Sequence, residues 1–144
     1  MLYRFIAIAA LLTGTFPAAA LAQSSSEGSL ELFLELNAVQ DVSGACRLTF
    51  LARNETGSAI DGAVFETVIF DAAGGVVSLS LFDFRDLPAG RPRVRQFDLP
   101  GMACDDVSQA LINGSNSCVV DGAESDICDR ALSLGSRIGV ELLG

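Results

Sequence analysis

Leu30, Leu32, Leu34 and Leu36 alternate with Glu31, Phe33, Glu35 and Asn37, a period of two that lines four leucines along one face of a strand, whereas a helix would scatter them. The same period returns downstream. Cys46, Leu48 and Phe50 alternate with Arg47 and Thr49 in Cys46 to Ala52, and Val77, Leu79 and Leu81 alternate with Ser78 and Ser80 in Val76 to Phe84. Between them, Val64 to Asp71 is apolar on both faces, which suits a central strand. Arg93 to Leu99, Val107 to Ile112 and Leu132 to Leu143, the last bulged near Gly135 or Gly139, complete seven expected strands. Turn-forming clusters separate them at Asp41 to Gly44, Asn54 to Ser58, Ala72 to Gly75, Leu87 to Gly90, Pro100-Gly101 and Asn113-Gly114.

Short strands punctuated every 8 to 12 residues, with no helical period, predict an all-β, antiparallel two-sheet sandwich with an Ig-like path over residues 30–144. An up-and-down barrel is the alternative. Ahead of it, Arg4, the apolar run Phe5 to Leu12 and the small residues Ala20 and Ala22 form the three parts of a secretory signal peptide, with cleavage after Ala22. The run is broken by Thr13, Gly14 and Pro17, short of the roughly 20 residues a bilayer span needs. Cleavage of the 144-residue chain leaves 122 residues, enough for one core, preceded by a polar leader at 23–29 expected to be disordered. A soluble periplasmic or secreted product is expected, with no membrane insertion of the mature chain.

Cys46, Cys104, Cys118 and Cys128 all lie in the exported part, where thiols oxidise. No CxxC pair and no His completes a zinc site. Four thiols allow three pairings. On an Ig-like path the second and sixth strands run the same way, so Cys46 and Cys104, each just before one of them, meet at one end. Cys118 and Cys128 flank one loop, and the expected bridges are Cys46 with Cys104 and Cys118 with Cys128.

Arg53-Asn54-Glu55-Thr56-Gly57, Val68-Ile69-Phe70-Asp71 with Gly74-Gly75-Val76-Val77, and Asp86-Leu87-Pro88-Ala89-Gly90 with Phe97 together resemble the FxLYD-type bacterial Ig-like domains. Ile69-Phe70-Asp71 stands where that family has Leu-Tyr-Asp, and Thr67 replaces its leading Phe. The resemblance spans about residues 46–99 and implies an Ig-like sandwich in an exported protein, with no shared catalytic residues. The overall layout is also similar to exported proteins of alphaproteobacteria whose function is unassigned.

The chain has no His and no Lys, which removes Ser-His-Asp and Cys-His nucleophiles and Schiff-base lysines. Loss of Arg4 leaves eight arginines against 18 carboxylates, a formal charge of −10 that repels nucleic acid and anionic lipid. Asp83 with Asp86, or Asp105 with Asp106, could serve a carboxylate-pair hydrolase, but turn residues of this kind are common, and no enzyme is expected. Asp121, Glu124, Asp126 and Asp129 gather oxygen ligands that suit Ca²⁺, without the spacing of an EF-hand; a solvated acidic loop is the alternative, and no resident cofactor is expected.

Arg91, Arg93 and Arg95 recur at a spacing of two, either as a docking stripe for an acidic protein or a glycan carboxylate or as cross-strand partners of carboxylates such as Glu66. Phe33, and one of Phe82 and Phe84, are expected at the surface, since adjacent apolar positions cannot all face one core. Asn54-Glu55-Thr56 and Asn113-Gly114-Ser115 match the glycosylation pattern but are expected as turns. The function these features support is contact with an envelope protein or glycan by a non-enzymatic Ig-like module. A Ca²⁺-dependent domain is the second reading.

Overall fold

A computed structural model describes residues 30–144. The expected signal peptide and the 23–29 leader lie outside the described residues. Among those described, the chain forms β1 (Leu32–Val42), β2 (Ala45–Asn54), β3 (Ile60–Phe70), β4 (Val76–Leu87), β5 (Arg93–Pro100), β6 (Gln109–Val120), β7 (Ala123–Glu124), the one-turn helix α1 (Ile127–Arg130), β8 (Leu132–Ser136) and β9 (Glu141–Leu143).

Two sheets pack face to face as a sandwich. One has the order β5-β2-β1-β8; the other has the order β4-β3-β6-β7, with β9 also paired to β6. Hairpins β1–β2 and β3–β4 lie in opposite sheets, then β5 returns to the first and β6 to the second, the alternation of an immunoglobulin-type path. The first six strands expected from the period of two are present, most of them longer than expected. Leu32, Leu34 and Leu36 are fully buried, while Leu30 precedes β1 and is exposed.

The core joins these leucines to Leu48, Phe65, Ile69, Leu99 and Ile112 around an aromatic cluster. Phe50 meets Phe84 edge to face at 5.4 Å, and Phe82 stacks on Phe97 at 4.2 Å. Both Phe82 and Phe84 are therefore buried, against the expectation that one would be exposed. They are two residues apart on one strand and share a face, and the cluster takes both. Phe33 is half-buried rather than exposed. Its ring lies against Gly135, where a Cβ would meet it at 2.9 Å, and the Arg53 guanidinium covers it 4.7 Å from the ring centroid.

Three departures concern the C-terminal half. Asn113-Gly114 does not end a strand: β6 runs through it with register shifts against β3, because Asp129 reaches in and accepts a hydrogen bond from the Ser115 backbone N–H at 2.7 Å. The expected strand 132–143 is broken, not bulged. β8 pairs parallel with β1, residues 137–140 cross the end of the sandwich, and β9 pairs parallel with β6. Val140 and Leu142 are buried on the far side of that crossing, so burial in the second sheet is what breaks the strand. These two parallel pairs are exceptions to the antiparallel expectation; the hairpins, β2–β5, β3–β6 and β6–β7 are antiparallel.

Candidate functional site

The two outer faces of the sandwich differ in kind. On the β5-β2-β1-β8 sheet, register sets Arg47 opposite Asp98 and Thr49 opposite Gln96. Arg47 Nε donates to Asp98 Oδ1 at 2.7 Å, Gln96 Nε2 donates to Thr49 Oγ1 at 3.1 Å, and Arg137 Nε donates to Glu35 Oε1 at 3.0 Å. These polar pairs make most of it the solvated face expected of an antiparallel sheet, with the exposed Val94 opposite Leu51 as its apolar exception. Hydrogen bonds from Arg137 and Asn37 hold the Glu35 carboxyl below its ordinary pKa, and those from Arg47 do the same for Asp98. A carboxylate lowered in the fold adds stability above its unfolded pKa, and that stability is lost as pH falls through the folded value. Thermal unfolding is therefore expected to move to lower temperature as pH drops below about 4. A Glu35→Gln, Asp98→Asn double variant is expected to show a flatter acid limb, measured by scanning calorimetry from neutral pH downwards.

The β4-β3-β6 sheet carries an apolar row across its outer face, bordered by Glu66, Gln109 and Glu141. Leu79 on β4 lies opposite Val68 on β3, Val68 opposite Leu111 on β6, and Leu111 opposite Leu143 on β9. Leu79 is 60% exposed and Leu143 40%, Leu111 between them is half-buried, and Val68 is covered by its neighbours at 7%. Val77 and Leu81 flank Leu79 on the same side of β4 and are exposed as well. Ser78 and Ser80 point inward, where Ser80 lies opposite Thr67, a buried threonine whose hydroxyl has no partner among the described residues.

The inversion follows from parity. The β3–β4 register runs unbroken from Ile69–Ser78 to Val64–Asp83, so drawing Phe82 into the aromatic cluster also turns Ser80 and Ser78 inward and sends Leu81 and Leu79 out; Phe84 and Val77 stand at the register shifts that bound this stretch. The alternation of aliphatics with serines was visible in the sequence. Its direction was not, because two phenylalanines further along the strand decide it.

The predicted arginines lie beside this face. Arg93 and Arg95 sit at the open side of the sandwich, where β5 ends one sheet and β4 the other. Arg95 donates to the backbone carbonyls of Phe84 at 2.6 Å and Asp86 at 2.9 Å, and both arginines reach the Asp86 carboxylate. Arg91 is exposed in the loop before β5 and has no side-chain partner among the described residues. Glu66 pairs with none of them and accepts from Asn113 Nδ2.

The acidic residues of 121–129 are dispersed. Asp121 holds a left-handed conformation in the β6–β7 turn. Glu124 accepts from Ser117 Oγ and the Cys118 N–H, Asp126 pairs with Arg130 at 3.5 Å, and Asp129 is turned to Ser115. Among the described residues, no three Asp, Glu, Cys or His side chains converge as metal ligands would. Asp83 Oδ1 accepts from the Arg85 N–H, Asp86 is held by the arginines, and Asp105 and Asp106 lie exposed in the 3-10 turn Cys104–Asp106.

Cys46 bonds to Cys104 and Cys118 to Cys128, as expected. No helix among the described residues is long and apolar enough to cross a membrane. Compared with models of known protein families, with curated proteins and with solved structures, the chain matches none of the three.

Proposed function

We propose that this chain is a non-enzymatic contact module of the periplasm or cell exterior that binds protein through the apolar outer face of its β4-β3-β6 sheet. The transverse row Leu79, Val68, Leu111 and Leu143 carries this reading. An antiparallel sheet that packs on one side presents polar residues on the other, and contiguous apolar surface on a monomer marks an interaction site. Two disulfides suit an oxidising compartment, and the absence of His and Lys leaves little acid-base or nucleophilic chemistry for an enzyme.

A photo-crosslinking residue placed at Leu79 in the chain expressed in its native host is expected to yield a discrete protein adduct. The same residue at Thr49, on the opposite outer face, is expected to yield none, and adding Leu81→Glu is expected to abolish the adduct at position 79. Equal labelling from both faces, or no adduct from position 79, would overturn the reading.

A further inference from the structure

Among the described residues, strand β4 ends its sheet and pairs only with β3. Its free edge is closed along one half and open along the other. Arg95 occupies the carbonyls of Phe84 and Asp86, whereas Val76 to Phe82 has no partner on that side among the described residues. Those seven residues carry no charge. Edge strands are ordinarily blunted by a charge, a proline or a bulge; this half of β4, about 24 Å long at 3.4 Å per residue, carries no charge and no proline, and its register against β3 shifts only at its start, between Ser78 and Val76.

We propose that the open half of β4 pairs antiparallel with the β4 of a second copy across a two-fold axis at Leu79. The proposal rests on the β4 face being a contact surface and names what covers it. Residues opposed across an antiparallel pair share a face. An axis at Leu79 therefore sets Leu79 against its counterpart and Val77 against Leu81 twice, joining the two apolar rows into one across both sheets. The same register sets Asp83 opposite Gly75 and brings Arg85 level with the turn that carries Asp71, so each end of the joint places a guanidinium beside a carboxylate of the other copy.

Other registers do worse. An axis at Leu81 sets Leu79 against Asp83, and one at Asp83 opposes two carboxylates. An axis at Phe84 meets the Arg95 guanidinium already on the edge. Net charge argues the same way. A chain of formal charge −9 repels its own copy over most of its surface, and the uncharged strip of β4 is where two copies approach without that penalty.

The test is sedimentation of the disulfide-intact mature chain over a range of concentrations, with cysteine cross-linking as the geometric readout. Wild type is expected to sediment as a concentration-dependent dimer. Leu79→Cys is expected to form a symmetric disulfide on mild oxidation, because opposed Cβ atoms lie about 5 Å apart, while Leu143→Cys, at the far end of the same apolar row, does not. Leu79→Glu removes two buried leucines and opposes two carboxylates. It is expected to weaken dimerisation on the order of a hundredfold or more, with circular dichroism and melting temperature unchanged.

A wild type that stays monomeric at every concentration, or equal cross-linking from positions 79 and 143, overturns the proposal. An adduct from position 79 in the host that contains another polypeptide and no second copy overturns it too, while leaving the contact module standing.

Discussion

Replacing Cys46 and Cys104 together by alanine is expected to lower the unfolding free energy by about 4 kcal/mol, read as a fall in the urea midpoint. The bridge joins residues 58 apart in sequence, and closing so long a loop removes conformational freedom chiefly from the unfolded chain. It ties the start of β2 to the turn after β5, where Asp41 Oδ1 also accepts a hydrogen bond from the Cys104 N–H at 2.8 Å. The Cys118–Cys128 bridge closes a separation of only 10, and its removal is expected to cost about 3 kcal/mol by the same argument. Equal losses from the two double variants would show that local packing at the cysteines, rather than loop length, sets their contribution.

Asn54→Ala is expected to cost about 3 kcal/mol, more than a surface turn residue would. Asn54 is buried, and all four hydrogen-bonding positions of its amide are used. Nδ2 donates to the carbonyls of Ser58 at 2.8 Å and Leu87 at 2.7 Å, while Oδ1 accepts from the Thr56 N–H at 3.0 Å and the Thr56 hydroxyl at 2.7 Å. Its own carbonyl accepts from the Gly90 N–H at 2.8 Å. One side chain thus fixes the loop after β2 against the loop between β4 and β5, joining the two sheets at that end.

Alanine removes the donor to the Leu87 carbonyl and the acceptor of the Thr56 N–H, and leaves the Thr56 hydroxyl only its longer contacts with Ser58. Asn54→Asp keeps the acceptor but turns a carboxylate oxygen toward two carbonyls, and is expected to cost at least as much. Thr56→Ser preserves the hydroxyl and is expected to be mild. Chemical denaturation of the three variants checks the order, and an Asn54→Ala loss no larger than that of Thr56→Ser would sink the account. The Asn54-Glu55-Thr56 match to a glycosylation pattern is thereby explained as a turn lock.

Much of the fold was legible because strand alternation is a local property. Leu32, Leu34 and Leu36 announce a buried face by themselves, and the cysteine partners followed from counting strand directions. The arginines were legible as a pattern, and their partner was not. Arg95 bonds the carbonyls of Phe84 and Asp86, and backbone atoms of a neighbouring edge leave no mark in the sequence. The acidic residues between 121 and 129 look like a ligand set when read in a line. Once the chain is folded, Asp129 turns to Ser115 and Asp126 to Arg130, each serving a local structural need.

The outer face of β4 divides most clearly. From the sequence alone came the period of β4, its uncharged stretch from Val76 to Phe82, and the absence of His and Lys. Which side of that strand faces water was decided only by tertiary structure. Phe82 and Phe84 join Phe50 and Phe97 in one aromatic cluster, and parity along the register from Phe65–Phe82 to Ile69–Ser78 carries that choice to Leu81, Ser80, Leu79 and Ser78. The break between β8 and β9 has the same origin. Period two holds on both sides of it, and only the second sheet's need for Val140 and Leu142 shows where the chain must cross.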